Sequence, residues 1–446
     1  MEKNLFGTDG VRGKVDELIT QHFVQKIGQS VATYIYKEKK NPFKKVLIAH
    51  DTRSSTDKLE KALCEGLTGL GIDVLLAGVM PTPALHYLVS KQPFDMAIMI
   101  TASHNPAEYN GIKVITGEGY KLTDEQEENL TQIYYNLEKY LGKQKYPKGK
   151  ITKDEKIIFE WAENIKKVAC GSFKGIKIAL DCSNGASYFI APYIFKELGA
   201  EVFAVNNTDN GKLINHECGS THTEVIAKVT KENQCDLGFA FDGDADRVNV
   251  SFGNGVIMTG EELIYICCSY LKKKGKLRSD KIITPIVTNC GIDSSLSSFG
   301  IQTLRVGVGG KNIQAKMLTD KISFGAEDNG HIVWGDLNVC SDGILTAVMI
   351  TKMFKEFGDL HKMLTGLQVF HQAKINVVIT AEQKEKYLKG QIEPVIQTLN
   401  KELGNSGRIV VRPSGTEPLL RILVEGKESV VAEDTAKIIE KEIKNL

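Results

Sequence analysis

Short apolar runs alternate with helical patterns along most of the chain. The runs at 46–49, 176–180 and 282–287 each follow lysines and lead into polar loops, and each is succeeded by a helical pattern ending in glycine. Those endings are Gly71-Ile72-Asp73-Val74, Gly199-Ala200-Glu201-Val202 and Gly300-Ile301-Gln302-Thr303. Glycine suits the left-handed residue that stops a helix, and the apolar residues after it open a new strand. A further strand is expected in each copy, at 96–100, 237–241 and 322–324. One βαβ phrase therefore occurs three times, which predicts right-handed crossovers and mostly parallel sheets with ligand loops at the carboxyl ends of the strands.

After Gly366 the pattern changes to an alternating strand at 374–380, one helix at 381–403, strands at 408–411 and 421–425, and a closing helix. The expected fold class is α/β: three similar mixed α/β domains with mostly parallel sheets, followed by a C-terminal α+β domain. The boundaries are placed at 1–150, 151–254, 255–366 and 367–446. The Glu-, Lys- and Gln-rich segment 122–150 reads as a solvated helix running into a linker.

A chain of 446 residues has room for two to four such domains. Its 56 Lys and Arg against 55 Asp and Glu leave a net charge of +1, no footprint for nucleic acid or a membrane surface, so a charged ligand must be met locally. Nine cysteines, odd in number and without a Cys-x-x-Cys pair, point to a reducing compartment. The start carries Glu2, Lys3 and Asp9 without an apolar export segment, and a cytoplasmic setting is expected.

The three loops after the last strand of each copy carry most of the chemistry. DGDADR at 242–247 sets Asp242, Asp244 and Asp246 at alternate positions, where their oxygens can turn toward one hard cation such as magnesium. An EF-hand is excluded, because Arg247 and Gly253 stand where glycine and glutamate are required. TASHNP at 101–106 offers the Ser103 hydroxyl, followed by His104, and a serine oxygen can carry a phosphoryl group where cations offset the charge. Arg12 in FGTDGVRG and Lys113 can supply that charge. AEDNGH at 326–331 joins Glu327, Asn329 and His331, groups that hydrogen-bond sugar hydroxyls or move protons. In the tail, RPSGTEP at 412–418 reads as a phosphate clamp, with Arg412, Ser414 and Thr416 around the backbone of Gly415, and with Arg421 nearby. GVGGK at 307–311 is not a Walker A loop, since Asn312 follows Lys311 in place of serine or threonine.

In this order, FGTDGVRG, TASHNP, DGDADR, E-x-x-G-H and RPSGTEP, the chain resembles the α-D-phosphohexomutases along essentially its whole length. The resemblance is nearest to the branch that acts on glucosamine phosphates, as in Asp181-Cys182-Ser183-Asn184-Gly185-Ala186. It implies four domains around a central cleft and Ser103 as a phosphoserine that shares one Mg2+ with Asp242, Asp244 and Asp246. It further implies sugar contacts from Glu327 and Asn329 and a clamp of Arg412, Ser414, Gly415 and Thr416. Arg12, Lys113, Arg247 and His331 fall on positions near the transferring phosphate, with Lys113 the first expectation for proton transfer and His331 the second. The implied substrate is a small hexosamine phosphate, with glucosamine 1,6-bisphosphate or glucose 1,6-bisphosphate as the activating intermediate, in a homodimer. The alternatives are a mannose- or glucose-phosphate mutase, or a catalytically silent sugar-phosphate sensor. Two departures stand out: Asn329 replaces a customary serine, and Val308-Gly309-Gly310-Lys311 replaces Val-Gly-Asp-Arg, exchanging an arginine for a lysine that grips anions differently.

Overall fold

The computed structural model describes residues 4–7, 9–38, 44–141, 146–414 and 417–446. The chain forms two compact units, Met1–Ile264 with Gly309–Leu360, and Tyr265–Val308 with His361–Leu446. The expected third domain, 255–366, thus contributes to both.

The first unit opens with six strands: β1 (Val11–Lys14), β2 (Lys45–His50), β3 (Asp73–Val79), β4 (Met96–Ile100), β5 (Tyr109–Thr116) and β6 (Ile151–Lys153), in the order β1-β5-β4-β2-β3-β6. β2 runs parallel to β3 and β4, and β3 to β6, while β5 is antiparallel to β4 and β1. Both faces of such a sheet are covered, which is why β4 is apolar without alternation and buried throughout. β6 lies just beyond the expected boundary at 150, yet it edges this first sheet. The charged segment before it is not only a solvated helix. In the helix Asp124–Tyr135, started by a Thr123–Gln126 capping box, Glu127, Leu130, Thr131 and Ile133 are buried.

The second copy is a four-stranded sheet of β7 (Lys177–Asp181), β8 (Glu201–Val205), β9 (Leu237–Phe241) and β10 (Val248–Phe252), in the order β10-β9-β7-β8. β7 is parallel to β8 and β9, and β10 is antiparallel to β9. The third copy supplies pairs of both kinds. β11 (Lys281–Pro285) and β12 (Gln302–Val306) run parallel within the second unit, and β13 (Phe324–Ala326) and β14 (Ile332–Trp334) run antiparallel within the first. The glycines that end the phrase, Gly71, Gly199 and Gly300, have φ of +78°, +88° and +70°, a backbone that side chains disfavour. β11 stops before the expected Val287 because the Thr288 N–H closes a turn on the Pro285 carbonyl. β13 begins two residues after the expected Ile322, whose N–H still caps the preceding helix on the Met317 carbonyl.

The tail is an antiparallel sheet of β15 (His371–Val378), β16 (Gly407–Pro413) and β17 (Leu419–Gly426), ordered β15-β17-β16, with its own core. The single helix expected at 381–403 is two, Ala381–Leu388 and Glu393–Leu403. Gly390, at φ +77°, breaks it, and Pro394 begins the second piece, where its missing N–H is harmless.

Candidate active site

Loop 101–106 leaves β4, and loop 242–247 leaves β9, at the carboxyl ends of buried strands. Ser103 is buried at φ +51°, and its N–H donates to Thr101 Oγ1 at 2.9 Å. Its hydroxyl donates to Asp242 Oδ2 at 2.7 Å, with His104 Nδ1 3.3 Å away. Burial, reinforced by Arg247 and Arg12, pushes the His104 imidazole down to about 4, so it is neutral near pH 7.

The three aspartates of the second loop are buried and present ligand oxygens within 4.8 Å of one another. Asp242 Oδ1 accepts the Arg247 backbone N–H at 3.1 Å. Asp244 Oδ2 accepts Lys113 Nζ at 2.7 Å and Thr82 Oγ1 at 2.5 Å, and Asp246 Oδ2 lies 3.4 Å from the same ammonium. Asp244 Oδ1 and Asp246 Oδ1 are buried without a hydrogen-bond partner among the described residues. Two orphaned carboxylate oxygens beside a third carboxylate fit a hard divalent cation, whose ligands are oxygens. Burial and the repulsion of Asp246 and Asp244 hold the Asp242 carboxyl well above its ordinary range. For Asp246 burial acts the same way, but the fixed charges of Lys113 and Arg247 oppose it and the group is lowered.

Lys113 projects from β5, opposite Met99 of β4, and also pairs with Asp9 at 2.8 Å. Asp9 in turn holds Arg12 and, at 2.6 Å, Lys121. Although burial opposes its charge, Asp244, Asp9 and Asp246 raise the Lys113 pKa, so the ammonium is held protonated. Arg247 lies 3.9 Å from Asp246.

The third loop is organised around Glu327 and His331. Glu327 Oε1 accepts the Gly309 N–H at 3.2 Å, its Oε2 lies 3.6 Å from His331 Nδ1, and Asn329 Oδ1 accepts the His331 N–H at 3.1 Å. Burial lowers the His331 pKa and leaves a neutral ring. Lys311, expected to bind substrate, is instead paired with Asp124 at 2.5 Å and Glu127 at 2.7 Å. An exposed carboxylate, Asp124, and a buried one, Glu127, on the same helix hold this ammonium.

Within the second unit, Arg412 on β16 is the cross-strand partner of Arg421 on β17. Arg421 Nη2 reaches Ser414 Oγ at 3.4 Å and Glu417 at 3.1 Å. Two guanidiniums side by side repel and favour an anion between them. Gly415 and Thr416, the rest of the expected clamp, lie outside the described residues.

Four family models match in register along the chain: phosphoglucomutase/phosphomannomutase alpha/beta/alpha domain I at 3–141, domain II at 159–255, domain III at 259–370, and the C-terminal domain at 374–442. The chain belongs to the phosphoglucomutase/phosphomannomutase family. It is similar to a phosphoglucosamine mutase of Alkaliphilus oremlandii, 39% identical over 98% of this chain and 99% of that protein. One of Caldicellulosiruptor bescii is 40% identical over 95% of each. In fold it resembles the crystal structure of a phosphoglucomutase/phosphomannomutase family protein from Burkholderia thailandensis, with a TM-score of 0.83 at 21% identity, covering 100% of this chain and 98% of that one. Within this family setting, sequence reasoning passed over Asp9 and Thr82. Asp9 stood inside the quoted FGTDGVRG, where a carboxylate three residues before Arg12 was a usable signal. Thr82 had none, being 162 residues from the aspartate it meets.

Proposed function

We propose that the chain interconverts glucosamine 6-phosphate and glucosamine 1-phosphate by way of a phosphorylated Ser103. The observation that carries the reaction is the Ser103 hydroxyl 2.7 Å from Asp242, inside a trio of buried aspartates. The choice of sugar is supported by relatives named phosphoglucosamine mutase that align with nearly the whole chain.

In the forward direction the P–O bond to Ser103 Oγ breaks as a new P–O bond forms to the sugar O1. The hydroxyl proton leaves the sugar and the serine oxygen recovers one. The resulting glucosamine 1,6-bisphosphate turns end for end, the 6-phosphoryl group returns to Ser103, and glucosamine 1-phosphate departs. Glucose 1,6-bisphosphate can load the serine in the same way.

Proton acceptance is assigned to His331 in place of Lys113. The imidazole is neutral and its Nδ1 lacks a hydrogen-bond partner among the described residues, whereas the Lys113 ammonium is held protonated by three carboxylates. Lys113, Arg12 and Arg247 then serve as fixed positive charge at the transferring group, and positioning supplies most of the rest. Asp242, Asp244 and Asp246 would hold magnesium together with the phosphoserine. Bound there, the cation supplies charge neutralisation to the phosphoryl oxygens. Glu327 and Asn329 are assigned to sugar hydroxyls. Arg412, Ser414 and Arg421, with Gly415 and Thr416, are assigned to the phosphate that is not reacting; a phosphate clamp serves both orientations because it is indifferent to the carbon that bears the group. The nine cysteines are all free, which suits a reducing cytoplasm, and a homodimer completes the proposal.

Ser103→Ala should keep the fold and sugar-phosphate binding while turnover disappears in a coupled assay run on glucosamine, mannose and glucose 6-phosphates. Retained turnover would end the covalent mechanism, and preference for mannose or glucose would reassign the substrate.

A further inference from the structure

Arg53 is 2% exposed, an unusual place for a guanidinium. Each of its five N–H donors is used. Nε donates to Asp51 Oδ2 at 2.9 Å, Nη1 to the carbonyls of Tyr109, at 2.8 Å, and Pro106, and Nη2 to those of Ser103 at 3.0 Å and Asn105 at 2.7 Å. Asp51 Oδ2 also accepts the Thr101 hydroxyl at 2.6 Å, and that hydroxyl accepts the Ser103 N–H. Both the N–H and the C=O of Ser103 therefore run back to one buried ion pair, which sits just beyond the end of β2.

A second donor comes from the next copy of the repeat. Asn215 Nδ2 donates to the same two carbonyls, Ser103 at 2.8 Å and Asn105 at 3.0 Å. The aspartate loop closes against this point because Gly243 lacks a side chain: a Cβ there would lie 2.5 Å from the Ser103 oxygen and 2.9 Å from Asn215 Nδ2. Neither Arg53 nor Asn215 touches Ser103 Oγ or a ligand oxygen of the aspartates in any of these contacts. Together they fix the loop of one copy against the loop of the other, in a left-handed conformation that serine does not choose unaided.

We infer that Arg53 and Asn215 are positioning residues for phosphoryl transfer, gripping the Ser103 and Asn105 carbonyls so that the phosphorylated side chain stays in register with Asp242, Asp244 and Asp246. The inference rests on Ser103 being the phosphoryl carrier.

The decisive variants are Asn215→Ala and the near-isosteric Asn215→Asp, which leave the Asp51–Arg53 pair intact; Arg53→Lys, whose ammonium cannot serve five acceptors, is a harsher third. Each is loaded with glucose 1,6-bisphosphate, and the lifetime of the phosphoenzyme is followed by intact mass beside kcat and KM. For the Asn215 variants kcat should fall about 10- to 100-fold, the scale of a misplaced reacting group, with KM for glucosamine 6-phosphate changed less than about twofold. The phosphoenzyme should lose its phosphoryl group to water faster relative to transfer. Asn215→Asp should be at least as impaired as Asn215→Ala, because its carboxylate faces two carbonyls. Folded Asn215 variants with wild-type kcat and phosphoenzyme lifetime would overturn the inference, as would a lowered melting temperature with kcat unchanged. Ser103→Ala, run in parallel, separates the two readings: if it remains active the carrier is wrong, and if it is inactive while the Asn215 variants are normal, the positioning alone is wrong.

Discussion

Replacing Lys113 by methionine keeps its stem and removes its charge. The ammonium lies 2.7 Å from Asp244, 2.8 Å from Asp9 and 3.4 Å from Asp246, and the side chain is buried. Arg12 and Lys121 remain on Asp9, and Arg247 remains 3.9 Å from Asp246, but Asp244 loses the one cation that it pairs with among the described residues. Removing one partner of a buried ion pair costs about 3–5 kcal/mol, and that is the destabilisation expected for Lys113→Met in a chelating buffer. A divalent ion held by the three carboxylates restores the missing positive charge. At about 100 times its dissociation constant a ligand adds about 2.7 kcal/mol to the folded state that binds it, in wild type and variant alike, so the gap narrows by the margin with which the variant, freed of the Lys113 ammonium, binds the ion more tightly. Thermal melting of the full chain, wild type and variant, in EDTA and across a magnesium titration, should therefore show a wide gap that magnesium narrows, while mutase turnover of the variant stays low at every concentration. A variant that melts with the wild type in EDTA would show that Lys113 is not what balances these carboxylates. Magnesium that raises the melting temperature of neither protein would show that the trio does not hold the ion.

Arg412→Ala should raise KM for the sugar phosphate about 10- to 100-fold, the size of one charge-assisted hydrogen-bond partner, with a smaller effect on kcat; an unchanged KM in steady-state assays would remove the clamp. His86 predicts a pH window. It is buried, its Nδ1 lies 2.7 Å from the Gly119 carbonyl, and burial, reinforced by Lys121 and Lys113, pushes its pKa down to about 4 from the usual 6.5. A depressed folded-state pKa means that the unfolded chain takes up the proton first. Stability is complete above pH 6.5 and falls as pH drops toward 4, by about 3 kcal/mol in all. Urea denaturation between these limits should have a shallower pH slope in His86→Gln, and equal slopes would contradict the burial argument.

The strands were legible where burial on both faces left an uninterrupted apolar run. β4 and β9 fall on the residues read from sequence because no polar alternation blurs their ends. The repeat was legible because a left-handed glycine leaves a mark at each helix end. Failures occurred where a break or a partner is set by something other than periodicity. The helical pattern from 381 to 403 continues through Gly390, which looks tolerable in a helix but turns the chain at φ +77°. The buried stripe of helix Asp124–Tyr135 was hidden by its charge, since Glu127 is itself among the buried residues. Of the site, the groups that carry chemistry could be read from local spacing, but the groups that hold them could not. Arg53 and Asn215 reach the serine loop from 50 and 112 residues away, and no local pattern records such a contact.

The departures at Gly310 and Lys311 fit together as one rearrangement. A Cβ on Gly310 would sit 2.5 Å from His331 Cε1, so the bare residue is what lets the imidazole lie against the first turn of helix Gly310–Asp320. The neighbouring lysine, turned the other way, offsets Glu127, whose carboxyl is pushed up by burial and is the natural destination for a nearby cation. An acid at 310 would have faced His331 and favoured its protonated form, against the neutral ring that proton acceptance requires. Without that acid, Glu327 is the carboxylate nearest to His331 among the described residues, at 3.6 Å. Losing the acid and redirecting the cation together leave Glu327 beside a neutral imidazole, the pair that a sugar hydroxyl giving up a proton needs.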